Sequence, residues 1–139
     1  MTSAPPTSLL SVRDLVVGVA TPSGQNLVVD RLGFEVSRGE TLCIAGESGS
    51  GKSMTALALM RLLPEPGARV VSGEAVLNGR DVLTLPEAEM RSVRGSEIGM
   101  IFQEPMTSLN PVLTVGRQVA EAVLAHTSMS AGAATAEAR

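Results

Sequence analysis

Residues 46–53 read Gly46-Glu47-Ser48-Gly49-Ser50-Gly51-Lys52-Ser53. The spacing is G-x-x-x-x-G-K-[ST], the pattern of a phosphate-binding P-loop, or Walker A motif. Glycines let backbone N–H groups curl around a polyphosphate, and the N-terminus of the following helix points more N–H donors at the same place. Lys52 is expected to reach the β- and γ-phosphates, and the Ser53 hydroxyl to ligate Mg²⁺. The motif therefore predicts a nucleotide-phosphate site.

The segments on either side of the motif support this prediction. Residues 41–45 are a short apolar run that suits a buried parallel strand. Residues 53–63 are rich in Met, Ala and Leu and predict a helix, which Pro64 should end. Cys43 is the only cysteine, and its place in the predicted strand indicates a small buried hydrophobic residue. A flexible Gly/Ser linker that matched the motif by chance would not need a strand before it or a helix after it.

Composition limits the kind of protein. The 139 residues are one modest domain or part of a larger one, and 44% hydrophobic residues argue against disorder. A net charge of −3 with no run of Lys or Arg gives no indication of nucleic-acid binding. No apolar stretch approaches the length of a transmembrane helix, and the first residues lack the pattern of a signal peptide. We therefore expect a cytoplasmic protein, unless a partner holds it at a membrane.

Short strands are predicted on both sides of the P-loop unit. They cover residues 9–20, 26–36, 70–77 and 97–102. The sequence 21–24 is a turn signal between the first two, and Asn78-Gly79 is a dipeptide typical of hairpins. Antiparallel strands should therefore lie beside a βα phosphate unit.

Two further helices and two tails complete the prediction. Pro86 is expected to open a short helix that Gly95 ends, and Thr114 to cap a longer one. One face of the longer helix is predicted to contain Val115, Val119, Ala122 and Val123. Residues 1–8 are expected to be a flexible tail, and the Ala-rich residues from 128 onward carry little information.

A second motif makes the comparison with a known family specific. Residues 100–111 read Met100-Ile101-Phe102-Gln103-Glu104-Pro105-Met106-Thr107-Ser108-Leu109-Asn110-Pro111, and Gln103 follows Ser53 by fifty residues. A P-loop with this string resembles the nucleotide-binding subunit of an ABC transporter, in the dipeptide/oligopeptide/nickel importer branch. The sequences Thr55-Ala56-Leu57-Ala58-Leu59-Met60-Arg61-Leu62-Leu63 and Val93-Arg94-Gly95 also resemble the glutathione-importer ATPase.

The resemblance implies an α/β fold, that of a P-loop NTPase with an antiparallel β-subdomain. Residues 9–126 would be the N-terminal part of an ABC ATPase domain, and 127–139 the start of a helical subdomain or a frayed tail. The implied ligands are ATP and Mg²⁺, with Ser53 and Gln103 as metal-binding residues. Gln103 would be the Q-loop glutamine, whose side-chain carbonyl reaches Mg²⁺ or the attacking water.

The resemblance also implies partners and a place in the cell. Membrane-spanning transporter subunits would contact the Q-loop, and a second ATP-binding subunit would close head-to-tail over two ATP molecules. The complete protein would lie on the inner face of the cell membrane and couple ATP hydrolysis to the import of peptides or similar small solutes. The transported substrate would be chosen by the binding protein and membrane subunits.

The sequence departs from the family pattern in two ways. The aromatic residue that often stacks on adenine is replaced, by alignment, with Val19. The family's signature segment, Walker B strand, catalytic glutamate and switch histidine would all lie downstream, so no catalytic residue is assigned. His126, the only histidine, is expected to be a solvated residue near a helix end. We therefore expect no hydrolysis by this chain alone.

Three alternatives stay open at this point. The chain could be a truncated, non-catalytic nucleotide-binding module. It could be a P-loop kinase or GTPase, which the string around Gln103 disfavours. It could also be a misfolded truncation, because a sheet that lacks strands has unpaired edges and exposed apolar faces.

Overall fold

The computed structural model describes residues 8–102 and 109–138. The chain divides into two compact units, Met1–Met90 and Arg91–Arg139. The strands are β1 (Ser8–Thr21), β2 (Gly24–Ser37), β3 (Ala68–Leu77) and β4 (Arg80–Asp81). The helices are α1 (Lys52–Leu59), α2 (Glu87–Val93), α3 (Val115–His126) and α4 (Ala131–Glu137).

The strands form one antiparallel sheet in the order β2-β1-β3-β4. The predicted turn at 21–24 joins β1 to β2, with Thr21 paired to Gly24. The predicted Asn78-Gly79 turn joins β3 to β4, and both of these residues have positive φ. Both hairpin predictions are confirmed. A two-residue turn sets the register of the two strands that it joins, so a few consecutive residues are enough to predict it.

A bulge in β1 shifts the apolar alternation by one residue. The register of β1 is irregular between Val12 and Leu15, where Asp14 has φ 48°. Val12 and Leu15 are nevertheless both buried, because the extra residue returns the strand to the same face. Opposite the bulge, Gly73 has φ 112°, and a Cβ on it would lie 2.6 Å from the Leu15 Cα. Glycine at this position therefore allows β3 to approach the bulge.

The core of the first unit combines the sheet with α1. Its most deeply buried side chains include Val12, Leu15, Val17, Val82 and Met90. Helix α1 lies against β1, β2 and β3 and buries Thr55, Ala58 and Leu59.

Helix α1 ends four residues before the predicted end at residue 63. Arg61 adopts φ 52°, the Leu62 N–H donates to the Leu57 carbonyl, and the Arg61 N–H donates to the Ala58 carbonyl. This pair of hydrogen bonds is a Schellman motif, here with Arg in the left-handed position that glycine usually takes. The motif ends the helix before Pro64 is reached.

The second unit contains α3 and α4. Thr114 caps α3 as predicted, because its side chain accepts a hydrogen bond from the Arg117 N–H. On the predicted apolar face, Val115 and Val119 are 59% and 43% exposed, and the buried residue of the helix is Ala120. The Ala-rich tail contains α4, within residues 127–139, which were expected to start a helical subdomain or to be a frayed tail. Ser130 caps this helix by accepting from the Ala133 N–H.

Two predicted strands are absent from the described residues. Residues 41–45 form no strand and are all exposed, and Cys43 is exposed rather than buried. Residues 97–102 form only an isolated bridge, between Arg94 and Ile98. A strand needs a partner for its N–H and C=O groups, and neither segment is hydrogen-bonded into the described sheet. Apolar sequence alone was therefore insufficient to predict a strand in these two segments.

Candidate phosphate-binding site

The P-loop connects the exposed segment 41–45 to α1. Its residues from Gly46 to Ser50 are all exposed, and the Ser50 N–H donates to the Glu47 carbonyl at 3.2 Å. Gly49 and Gly51 have φ of 81° and 87°, which lie in the left-handed region. The loop therefore uses backbone conformations that glycine adopts at little cost.

The two positive-φ glycines have different surroundings. A Cβ on Gly49 would meet nothing within 4 Å. A Cβ on Gly51 would meet the Val28 carbonyl oxygen and, at 3.1 Å, the Val29 Cγ2. The strand β2 therefore packs directly against the last residue of the loop, and glycine at position 51 is needed for space as well as for φ.

Lys52 folds back over the loop. Its Nζ donates to the carbonyl oxygens of Gly46 and Glu47 at 2.6 and 2.7 Å and to the Ser50 Oγ at 3.1 Å. An ammonium group has three N–H donors, so these contacts use its full capacity. A phosphate bound here would compete with the loop's own oxygens for at least one donor. Lys52 is also the only lysine in the chain.

The N-terminus of α1 faces this loop without a side-chain cap. Gly51 is the N-cap residue, and the first turn of the helix contains no acidic residue. The N–H groups at the start of a helix have no intrahelical acceptors, and the helix dipole favours an anion near them. Together with Lys52, these donors form a site with the chemistry of a phosphate cradle.

Thr55 supports the cradle and was missed in the sequence analysis. Its side chain is buried, and both its backbone N–H and its Oγ1 donate to the Gly51 carbonyl, at 2.8 and 3.0 Å. A Thr four residues after a helix N-cap commonly bonds back in this way, so its spacing from Gly51 was the available signal.

The structure describes one of the two residues predicted to bind Mg²⁺. Ser53 is the second residue of α1, and it is exposed. A hydroxyl there fits Mg²⁺, which keeps several waters and takes few protein ligands besides phosphate oxygens. Gln103 lies outside the described residues. In the described part of the chain, no cluster of three or more His, Cys, Asp or Glu residues could hold a metal ion.

Two other predicted residues are placed clearly. Val19 is half-buried in β1, paired with Asn26 of β2 and Ala68 of β3. His126 is the last residue of α3 and is exposed, as expected for a residue near a helix end. A Cβ on Gly95 would meet the His126 imidazole, so the ring covers this glycine.

The sequence profile of the ABC transporter family matches residues 29–139. This chain belongs to that family. The assignment excludes the alternative of a P-loop kinase or GTPase and confirms the predicted family.

Relatives in this family include named importer components. The oligopeptide transport ATP-binding protein OppD of Salmonella typhimurium is 52% identical over 126 residues, and OppD of Bacillus subtilis is 48% identical over 128 residues. The glutathione import ATP-binding protein GsiA of Salmonella typhimurium is 52% identical over 136 residues. These matches cover 91%, 92% and 94% of this chain, but 37%, 36% and 22% of the three relatives. The chain thus spans about a third or less of their length.

The fold matches that of the ABC cassette MJ0796. Its dimeric structure gives a TM-score of 0.76 at 21% identity, covering 91% of this chain and 53% of that one. A post-hydrolysis structure of MJ0796 bound to ADP and Pi gives a TM-score of 0.74 at 20% identity, covering 93% and 53%. The predicted P-loop NTPase fold is confirmed. Among the described residues, no helix is both long and apolar enough to cross a membrane.

Proposed function

We propose that this chain is the nucleotide-binding part of an ATP-binding subunit of an ABC importer for peptides or similar small solutes. The observation that supports this proposal is the P-loop geometry, in which Lys52 and the uncapped start of α1 face the same loop. The names of relatives with about half of their residues identical over the matched segment support the substrate class.

Each residue has a proposed role in binding ATP. The N–H groups of residues 46–51 and the start of α1 hold phosphate oxygens, and Lys52 neutralises charge on the β- and γ-phosphates. Ser53 ligates Mg²⁺, and Gln103 contacts Mg²⁺ or the attacking water. Mg²⁺ held by these residues would neutralise charge on the phosphate oxygens. No residue of this chain is assigned as the base that would activate water.

The partners follow from the family. We propose that membrane-spanning transporter subunits bind the subunit at the inner face of the membrane, and that a second ATP-binding subunit pairs with it. The dimeric cassette structures of the same fold are consistent with such a pair. For this chain by itself, the function that the geometry supports is nucleotide binding.

Lys52→Ala tests the proposal. We expect mant-ATP with Mg²⁺ to bind the wild-type chain, and the variant to lose most of that affinity, because the phosphates lose their only lysine. The matched control is Arg69→Ala, which removes one exposed positive charge that hydrogen-bonds to the side chain of Gln25. Fluorescence titration measures both. Equal affinities in wild type and Lys52→Ala would contradict the role of the P-loop.

The same samples test the two remaining alternatives. Nucleotide at one hundred times its Kd should stabilise the folded chain by about 2.7 kcal/mol and raise the unfolding midpoint. A sharp, nucleotide-dependent melting transition would exclude the misfolded truncation. Phosphate release no faster than that of Lys52→Ala would support the non-catalytic module, and faster release would contradict it.

A further inference from the structure

Two donors of Thr55 hold one backbone carbonyl at the end of the P-loop. The Gly51 carbonyl oxygen accepts from the Thr55 N–H at 2.8 Å and from the Thr55 Oγ1 at 3.0 Å. A carbonyl oxygen has two lone pairs, so these two contacts use its full capacity. Thr55 is only 3% exposed, and Gly51 is buried as well. Both hydrogen bonds are therefore shielded from competing water.

The Gly51 carbonyl belongs to the same peptide group as the Lys52 N–H. This peptide bond is trans. Across a planar trans peptide group the C=O and the N–H point in opposite directions. The carbonyl points into α1, towards Thr55, so the Lys52 N–H points out of the N-terminus of the helix. It donates to no acceptor in the described part of the chain and is therefore available to a phosphate oxygen.

Glycine at position 51 leaves this peptide group easy to rotate. Gly51 has φ 87° and ψ 0°, and a Cβ on it would meet the Val28 carbonyl oxygen of β2. The packing therefore requires glycine, the residue with the fewest steric limits on ψ. A half-turn of the peptide plane between Gly51 and Lys52 would replace the outward N–H by an outward carbonyl oxygen, which repels phosphate. Such a rotation must break both hydrogen bonds from Thr55.

The start of α1 has little else to hold this orientation. Its N-cap residue is Gly51, and no side chain caps the helix. The helix has only eight residues, and helices of this length are marginal without further contacts. Any residue except proline at position 55 could supply the backbone N–H. The hydroxyl is therefore the contribution that Thr55 makes through its side chain.

We propose that the Thr55 hydroxyl is a positioning group for the Lys52 N–H: by holding the Gly51 carbonyl, it keeps this N–H directed at the nucleotide phosphates. The inference rests on the proposed function, because the orientation matters only if phosphate binds at the P-loop. Thr55 itself touches neither phosphate nor metal. Its second hydrogen bond also polarises the peptide group and so strengthens the N–H as a donor.

Thr55→Val and Thr55→Ser test the proposal as a pair. The first keeps the branched shape and removes the hydroxyl, whereas the second keeps the hydroxyl and removes the methyl group. We expect Thr55→Val to weaken the binding of tripolyphosphate with Mg²⁺ about three- to tenfold, the effect of one hydrogen bond. Thr55→Ser should bind within about twofold of wild type. Isothermal titration calorimetry measures both, and tripolyphosphate reports on phosphate contacts alone because it has no base.

The order of the two affinities separates positioning from packing. If Thr55 acted only through packing, Thr55→Ser would lose a buried methyl group and bind at least as weakly as Thr55→Val. Equal or reversed losses, or no loss in Thr55→Val, would overturn the proposal. Thr55→Ala is a second variant without the hydroxyl and should show the same loss as Thr55→Val. Urea unfolding of each variant gives the folded fraction, for which the affinities are corrected.

Thr84→Val is the matched control. It makes the same chemical change at a hydroxyl whose hydrogen bonds are to Asp81, in the turn that follows β4. We expect tripolyphosphate affinity to stay at the wild-type value. A loss equal to that of Thr55→Val would show that removal of any threonine hydroxyl weakens binding, and would overturn the specific role of Thr55.

The Gly51 carbonyl can be followed directly by NMR of the full chain without ligand. A hydrogen bond moves a carbonyl ¹³C resonance to higher frequency, so Thr55→Val should move the Gly51 resonance to lower frequency. Thr55→Ser should leave it near the wild-type position. An unchanged Gly51 resonance in Thr55→Val would overturn the proposed hold on this carbonyl.

The experiments distinguish failure of this inference from failure of the proposed function. If wild type did not bind tripolyphosphate, the proposed function and the role of the Lys52 N–H would both be overturned. If wild type and Thr55→Val bound it equally well, the P-loop site would stand and only the positioning role of Thr55 would be overturned.

Discussion

At the scale of single residues, the P-loop is shaped by what surrounds each glycine as much as by glycine's freedom. Gly49 and Gly51 share a left-handed backbone, yet only Gly51 faces the β2 backbone. Ser50 fills the space beside Gly46, where a Cβ would lie 2.5 Å from its Oγ. A flexible side chain can move aside, but a strand cannot.

Gly51→Ala should therefore destabilise the chain more than Gly49→Ala. The left-handed conformation costs each alanine about 1 kcal/mol, and Gly51→Ala adds a clash with the Val28 carbonyl. Urea unfolding of the two variants measures the difference, with Gly49→Ala as the control for φ alone. If the two variants were equally stable, β2 would not be the barrier at position 51.

Val19 carries a prediction about base selectivity. With no aromatic side chain there, adenine loses stacking of about 1–3 kcal/mol, by analogy with base stacking in other proteins. We expect ATP and GTP to bind with affinities within about tenfold of each other. Competition of each nucleotide against mant-ATP measures the ratio, and Val19→Tyr should shift it towards ATP. A large ATP preference in wild type would contradict the prediction.

At the scale of secondary-structure elements, the β1 bulge and Gly73 act as one unit. The apolar alternation in β1 changes phase between Val12 and Leu15, and the bulge at Asp14 absorbs the change. Gly73 in β3 then allows the two strands to stay paired across the irregularity. The sheet keeps one buried face because of this arrangement.

Gly73→Ala should lower the free energy of unfolding by about 2–3 kcal/mol. The new Cβ would lie 2.6 Å from the Leu15 Cα and 2.7 Å from the Asp14 carbonyl oxygen. The backbone φ of 112° at residue 73 is also strained for alanine. Gly79→Ala is the control, because Gly79 also has positive φ but faces open space. Denaturant titration compares them. Equal losses would show that conformation alone, without contact, sets the cost.

At the scale of the whole molecule, apolar side chains stay exposed where the predicted strands failed to form. Leu42, Ile44 and Phe102 are 41–45% exposed, and Ile101 is 95% exposed. Exposed apolar residues of this kind promote association. The chain spans 36–37% of the length of its OppD relatives.

The purified chain should therefore associate as its concentration rises, and Ile101→Ser should weaken this association. Sedimentation velocity across a concentration series measures it. Leu27→Ser is the matched control, because Leu27 is 53% exposed in the hairpin strand β2, away from both segments in the sequence. A monomer at every concentration, or equal effects of both variants, would contradict the prediction.

The sequence by itself determined the features that depend on neighbours in the chain. The P-loop, both hairpin turns and the Thr114 cap each follow from a few consecutive residues whose backbone preferences need no distant partner. Family membership belongs in the same group, because two short motifs indicated it. The early end of α1 is a partial exception, since Arg61 takes a position where glycine is usual.

Only the tertiary structure decided the features that need a partner far along the chain. Residues 41–45 have the composition of a strand but are not paired into the described sheet, and Cys43 is exposed. The Val28 carbonyl lies against Gly51, and Gln118 pairs with Asn110 eight residues away. No local sequence pattern predicts either contact. Hydrogen-bond pairing and close packing join atoms in space, and sequence patterns register only residues that are near one another in the chain.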